Sequence, residues 1–244
     1  LAYPKWIPGE HGPSGPVIDL MNLKVTAAGE RVAWRRDTAD MFLLHVEPPA
    51  GTRAIEVTFD QALPVANDAF GAGPSASARL CIIAWNQFVL YPRGAPADAI
   101  RLEPEVRLPP GWKYGTALRT AGGPPKGGPR IPGLAGGSSA NAAKDGETEE
   151  DREAEEAGES EEEEQARGDT VQFQTVSLTT LIDSPILAGA FLRTLRLSPA
   201  GDPRPAFLHV AADSDAAIAA GADVYDPYRR LVAEQIALFG ARHY

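Results

Sequence analysis

Cysteine, histidine and long apolar runs are all scarce, and each scarcity closes a class of function. The single cysteine, Cys81, excludes an internal disulfide and a cysteine-based zinc site. Its setting in RLCIIAW reads as a buried, unreactive thiol. No stretch is long and apolar enough to span a membrane as a helix. No basic segment leading into an apolar one opens the chain, so a signal peptide is expected to be absent or removed. The first residue is Leu rather than Met, which reads as a fragment or a mature chain. The four histidines, at 11, 45, 209 and 243, are too scattered to compose a metal triad by spacing, and His45 and His209 sit inside strand patterns. HExxH, the P-loop, GxGxxG and GxSxG are missing, and Ser14 and Ser184 have no evident base. The residues alone do not identify an enzyme.

The net charge of −10 is concentrated in one place. Between Asp145 and Asp169 stand 14 acidic residues and two arginines, while the rest of the chain carries 19 acids and 21 bases. The body is close to neutral and offers no basic face for nucleic acid. The acidic run lacks the spaced Asp/Gly ligands of a calcium loop, so a solvated, self-repelling segment is its plain reading. Docking of a basic partner is the alternative.

Residues 17–118 read as β. LMNLKVT and RVAWRR flank a turn near Gly29, and MFLLHVE and AIEVTFD flank PPAGTR. RLCIIAWNQFVLYP reads as one long buried strand, and AIRLEPEVRLPPGWKYGTAL supplies two more. Asn86 and Gln87 interrupt the apolar run, either as a buried hydrogen-bonded pair or as a pair lining a cleft. Short strands at this spacing predict an antiparallel β-sandwich. From Thr120 to Lys144 seven glycines and four prolines appear, and the acidic run follows. These fifty residues cannot bury a core and are expected to be disordered. Strand signals resume in TVQFQTVSLTTL, AFLRTLRL and PAFLHVAA, with Asp183-Ser184-Pro185 as a turn. From Asp213 the pattern turns helical. Asp226-Pro227 reads as an N-cap and first helical residue, and Gly240 as the stop. Tyr228, Leu231, Val232, Ile236 and Phe239 share a face, and Arg230 and Glu234 are spaced to pair. The expected organisation is a mainly β fold: a sandwich in two parts, 1–119 and 170–212, a disordered insert at 120–169, and the start of a helical domain at 213–244.

The densest feature is the opening, LAYPKWIPGEHGPSGP, with four prolines and three glycines around Trp6, Glu10 and His11. Proline fixes φ and removes a donor, and glycine opens positive φ, so the stretch is a stiff loop. An aromatic, an acid and an imidazole on such a loop form either a wall of a cleft or a packed corner. In the second case Trp6 and Ile7 plug one end of the sandwich and Glu10 and His11 satisfy loop backbone.

YPKWIPGEHGPSGP, WNQFVLYP, VSLTTLIDSPILAG and YRRLVAEQIALFGARHY, in this order, resemble the N-terminal half of the glycyl aminopeptidase family of zinc metallopeptidases, relatives of the thermolysin-like enzymes. The resemblance spans the chain apart from the insert. It implies a β domain followed by the first helices of a truncated helical catalytic domain, with the zinc motif HExxH, the third ligand and a PDZ-like domain further on. The chain then begins part-way into the β domain and ends before the zinc motif. No catalytic or metal residue carries over, so the chain holds no cofactor, zinc belongs to the full-length parent, and the fragment is expected to be inactive alone. In related peptidases the β domain walls the cleft, which makes Trp6, Glu10 and His11 candidate substrate-binding residues. Glu10 is the residue type that would hold a peptide α-ammonium. The partner implied is a peptide with N-terminal glycine or alanine, and the implied location is the periplasm or the exterior. A stand-alone β-sandwich that binds peptide or glycan is the competing expectation.

Overall fold

The computed structural model describes residues 1–7, 11–65, 74–122, 168–202, 205–219 and 221–240. Glu10 and most of the expected insert lie outside them. The strands run in order β1 (Leu20–Ala27), β2 (Glu30–Arg31), β3 (Trp34–Arg36), β4 (Leu44–Val46), β5 (Glu56–Gln61), β6 (Ser75–Ala76), β7 (Leu80–Ile83) and β8 (Arg101–Leu102). There follow β9 (Glu105–Arg107), β10 (Lys113–Gly115), β11 (Thr170–Gln172), β12 (Val176–Ser177), β13 (Ile186–Gly189), β14 (Phe191–Arg196) and β15 (Phe207–Ala212). The helices are α1 (Leu178–Ile182), α2 (Asp215–Ile218) and α3 (Ala222–Phe239). The fold is mainly antiparallel β with few helices, as the sequence predicts. Among the described residues no helix is long and apolar enough to cross a membrane.

Two compact units share the chain, and each is assembled from separate segments. The first takes Leu1–Pro104, Gly115–Leu118 and Gln174–Ala188; the second takes Glu105–Tyr114, Arg119–Phe173 and Gly189–Tyr244.

In the first unit β1 pairs with β2 and, across the sequence, with β5. The predicted turn is real: Ala28 and Gly29 both have positive φ, at 50° and 83°. They form the two-residue connection whose twist suits adjoining strands. Alternation along β1 sends Val25 and Ala27 inward, where they join Val32 and pack against Val57. A second cluster gathers Tyr3, Val17, Leu20 and Phe42, so the N-terminal residues are part of the core. β3 and β4 pair from Trp34↔Val46 to Arg36↔Leu44.

Two strand readings in this unit are corrected. The run RLCIIAWNQFVLYP is a strand only over β7; Trp85–Gln87 turn as a 3₁₀ helix. The buried Trp85 indole donates to the Ser184 carbonyl at 3.0 Å, a contact beyond the reach of local pattern. TVSLTTL is likewise a strand only to Ser177. The Ser177 hydroxyl accepts from the Thr180 amide at 3.1 Å and starts α1, burying Leu178 and Leu181 one turn apart. The Asp183–Pro185 turn therefore follows a helix. Cys81 is half-buried, and burial raises its thiol pKa.

In the second unit β9 pairs with β11, and β14 with β15 in register from Phe191↔Ala212 to Arg196↔Phe207. His209 lies in that hairpin, its Nδ1 2.9 Å from the Thr194 hydroxyl, and burial lowers its pKa. The long helix starts earlier than predicted. Gly221 is its N-cap, and Pro227 lies inside it. Pro227 removes the bond to the Asp223 carbonyl and crowds it with its ring, at a turn that is exposed, so the freed carbonyl faces solvent. Gly240 ends the helix as expected, with φ 72° and its amide donating to the Ile236 carbonyl at 2.9 Å. The ion pair on the helix joins Asp226 to Arg229 at 2.6 Å instead of the anticipated Arg230 and Glu234.

Candidate functional site

The opening residues are held like a short strand. Tyr3 donates its amide to the Phe42 carbonyl at 2.8 Å, and Ala2 and Tyr91 exchange amide–carbonyl bonds of 2.7 and 3.0 Å. The Tyr3 side chain is fully enclosed, and its hydroxyl donates to the Gln87 carbonyl at 3.1 Å. Burial, with Asp19 adding, pushes that phenol far above its usual pKa. Pro4 is buried next, and the chain then leaves the core at Lys5.

The stretch beyond Lys5 returns at Gly15, whose amide donates to the Lys5 carbonyl at 3.0 Å. A Cβ at Gly15 would overlap the Pro4 carbonyl, so only glycine allows the two backbone segments this approach. Between these two points stands Trp6, 63% exposed. That exposure does not fit Trp6 as a plug for the sandwich; Ile7 is half-buried and His11 exposed. The structure describes Trp6 and His11 as exposed and outside any helix or strand. It describes nothing of Glu10.

Sequence reasoning missed the support beneath this loop. Lys5 Nζ meets Asp40 Oδ2 at 3.1 Å and lies 5.5 Å from the centre of the Phe42 ring. Asp40 Oδ1 accepts the Phe42 amide at 3.2 Å, and its own amide donates to Asp37 Oδ1 at 2.9 Å. Asp37 Oδ1 also accepts from the Ala39 amide at 2.8 Å. The other Asp37 oxygen lies 2.6 Å from His45 Nε2. Hydrogen bonding to these donors lowers the pKa of both aspartates. The signal available in sequence was the spacing in DTAD, two aspartates three apart before a strand, which favours a side-chain-closed turn.

Other polar and concave features are weaker. Gln87 is 6% exposed and its Oε1 has no hydrogen-bond partner, so the expected buried Asn86–Gln87 pair does not form. A cleft in the second unit runs between the Arg196–Pro199 turn and α3, lined by Val232 and Ile236. Its arginines are engaged: Arg196 donates to the Ser198 and Pro199 carbonyls, and Arg229 pairs with Asp226. Among the described residues no group of three His, Cys, Asp or Glu side chains is placed to hold a metal ion.

Comparison with known proteins bears on the family and the fold. The family model for the Peptidase M61 N-terminal domain matches residues 1–128. The crystal structure of an aminopeptidase N family protein from Idiomarina loihiensis is similar with a TM-score of 0.60 and 14% identity. The similarity covers 100% of this chain and 32% of that one, so this chain spans about a third of its neighbour's length. No curated protein matches the chain.

Proposed function

Because the chain belongs to the Peptidase M61 N-terminal domain family, we propose that it is the substrate-cleft and scaffold region of a zinc-dependent aminopeptidase with a preference for N-terminal glycine or alanine. The observation that carries this reading is Trp6: an aromatic side chain exposed on a loop whose neck is locked to the core. A peptide that meets a pre-ordered surface spends less free energy on ordering it. In this reading Trp6 and His11 line the cleft, and Glu10 holds the peptide α-ammonium. In this reading, which follows the resemblance, the hydrolytic zinc is held in the full-length parent enzyme. The periplasm or the exterior is the proposed location, on the resemblance alone.

Helix α3 supports the scaffold role. Tyr225 and Val232 are buried on one side, whereas Val224, Tyr228, Leu231, Leu238 and Phe239 are exposed. At 100° per residue these five cluster on a second stripe roughly a quarter-turn from the first. A helix with two apolar stripes is suited to stand between its own unit and a further layer of helices.

The test uses the enzyme that carries this region. Glu10→Gln removes a charge-assisted hydrogen bond of roughly 1.5–3 kcal/mol, about tenfold to a hundredfold in kcat/KM. The loss should vanish for substrates with an acetylated amino terminus. Equal losses on both substrates would assign Glu10 to loop structure and overturn its role with the ammonium.

A further inference from the structure

Resting on the reading of the loop as a cleft wall, we infer that Lys5, Asp40 and Gly15 form a latch that fixes Trp6 as a rigid platform for the first residues of a peptide. They are positioning residues, and none needs to touch the substrate.

Three observations converge on this. The nine residues from Trp6 to Ser14 include two prolines and two glycines, and the described ones carry no helix or strand. A stretch of this kind has a defined path only if its ends are tied. Its ends are tied, by the Gly15–Lys5 backbone bond and by the close approach to Pro4 that excludes any Cβ at Gly15. Lys5 then anchors this neck sideways. Its ammonium is bound to Asp40, which is bound to the Phe42 amide and, through Asp37, to His45 on β4.

The chemistry of the pair is as important as its position. Lys5 directly precedes Trp6, so an unpaired ammonium there would repel the α-ammonium of an arriving peptide. Asp40 cancels that charge at 3.1 Å while it holds the stem of Lys5 down. The indole is left as an uncharged, restrained surface with only two side-chain torsions to fix, a low ordering cost for the contact area it offers.

The two contributions separate in a variant series. Lys5→Met keeps the stem and removes the charge, so it loosens the neck without leaving a bare cation. Asp40→Asn loosens the neck and leaves Lys5 uncompensated. Exchange of the Gly15 amide, read by NMR or mass spectrometry, should accelerate up to about fivefold in either variant, the scale of an ion pair at this exposure. In the zinc-loaded enzyme KM for glycyl substrates should rise with kcat unchanged, more in Asp40→Asn than in Lys5→Met. The Lys5→Met/Asp40→Asn double variant, which carries neither charge, should fall between Asp40→Asn, with Lys5 bare, and Lys5→Met, with Asp40 bare. Gly15→Ala should exceed all of these where it folds; where it does not, the gentler variants decide. Unchanged Gly15 exchange in both would overturn the latch, whatever Trp6→Ala does to KM. Faster exchange with KM unmoved would overturn the platform and, with it, the cleft-wall reading.

Discussion

His45 Nε2 approaches Asp37 Oδ2 to 2.6 Å, tying β4 to the turn that follows β3. The bond makes Asp37 the most strongly shifted acid described, with the imidazole as the largest cause and the Asp40 and Ala39 amides next. Because Asp37 and Asp40 both titrate below their unfolded values, their stabilising contribution is complete above the ordinary carboxylate pKa of about 3.9 and is lost as pH falls through the folded values. The contribution of this pair to the melting temperature should therefore fall away below about pH 4, modestly, since both carboxylates lie near solvent. Asp37→Asn should be less stable at pH 6 and show a shallower acid limb. Parallel limbs in the two proteins, measured by thermal scans from pH 2 to 7, would remove Asp37 from the account.

Trp6→Ala should separate function from folding. A side chain 63% exposed contributes little to the core, so unfolding free energy should change by no more than about 0.5–1 kcal/mol. In the enzyme, KM for peptides should rise. A large stability loss in urea titration would mean that the indole packs against something.

Ile186 gives the opposite contrast. It is 0% exposed on β13, and Ile186→Ala should cost about 2–5 kcal/mol through lost burial and the cavity left behind. Ile18, 80% exposed, should tolerate the same change within about 0.5 kcal/mol. Similar midpoint shifts for both would contradict the burial pattern.

The uncovered stripe of α3 makes a prediction of its own. In the isolated chain Leu231→Lys and Leu238→Lys should leave the melting temperature within a few degrees and reduce binding of an apolar dye. In the enzyme the same changes should destabilise, because there the stripe would be covered. A large loss in the isolated chain would show that this face already packs.

Ala28 holds φ 50° in the β1–β2 turn, a conformation costing an alanine roughly 1 kcal/mol. Ala28→Asn should recover part of that, about 0.5–1 kcal/mol, since Asn-Gly is the preferred pair for this turn. A melting temperature that falls would show that Ala28 makes a contact the asparagine disrupts.

How much of this was legible depends on where each decision is made. The Ala28–Gly29 turn was readable because two positive φ values are demanded locally and glycine advertises one of them. The early end of β7 was not, because the Trp85 indole finds its acceptor at Ser184, 99 residues away. The start of α3 was misread because Asp-Pro is a sound start signal, yet an exposed turn forgives a missing amide and lets the helix begin at Ala222. At the candidate site the composition of YPKWIPGEHG marked a loop with an aromatic on it, but whether Trp6 is exposed or packed was decided only by the fold. The Lys5–Asp40 pair that steadies it spans 35 residues and needed the fold.

The interleaving of the two units bears on how the protein is made. The segments Leu1–Pro104 and Gln174–Ala188 belong to the same unit, separated mainly by sequence that belongs to the other. A ribosome adding about 5–20 residues per second delivers the closing segment roughly 4–17 s after Pro104. During that interval β7 lacks its neighbour β13, and the Trp85 indole has no Ser184 carbonyl to meet. The nascent chain thus passes through a stage with open strand edges and bare apolar surface. Holding chaperones would act on that stage, and truncation before Ala188 would make it permanent.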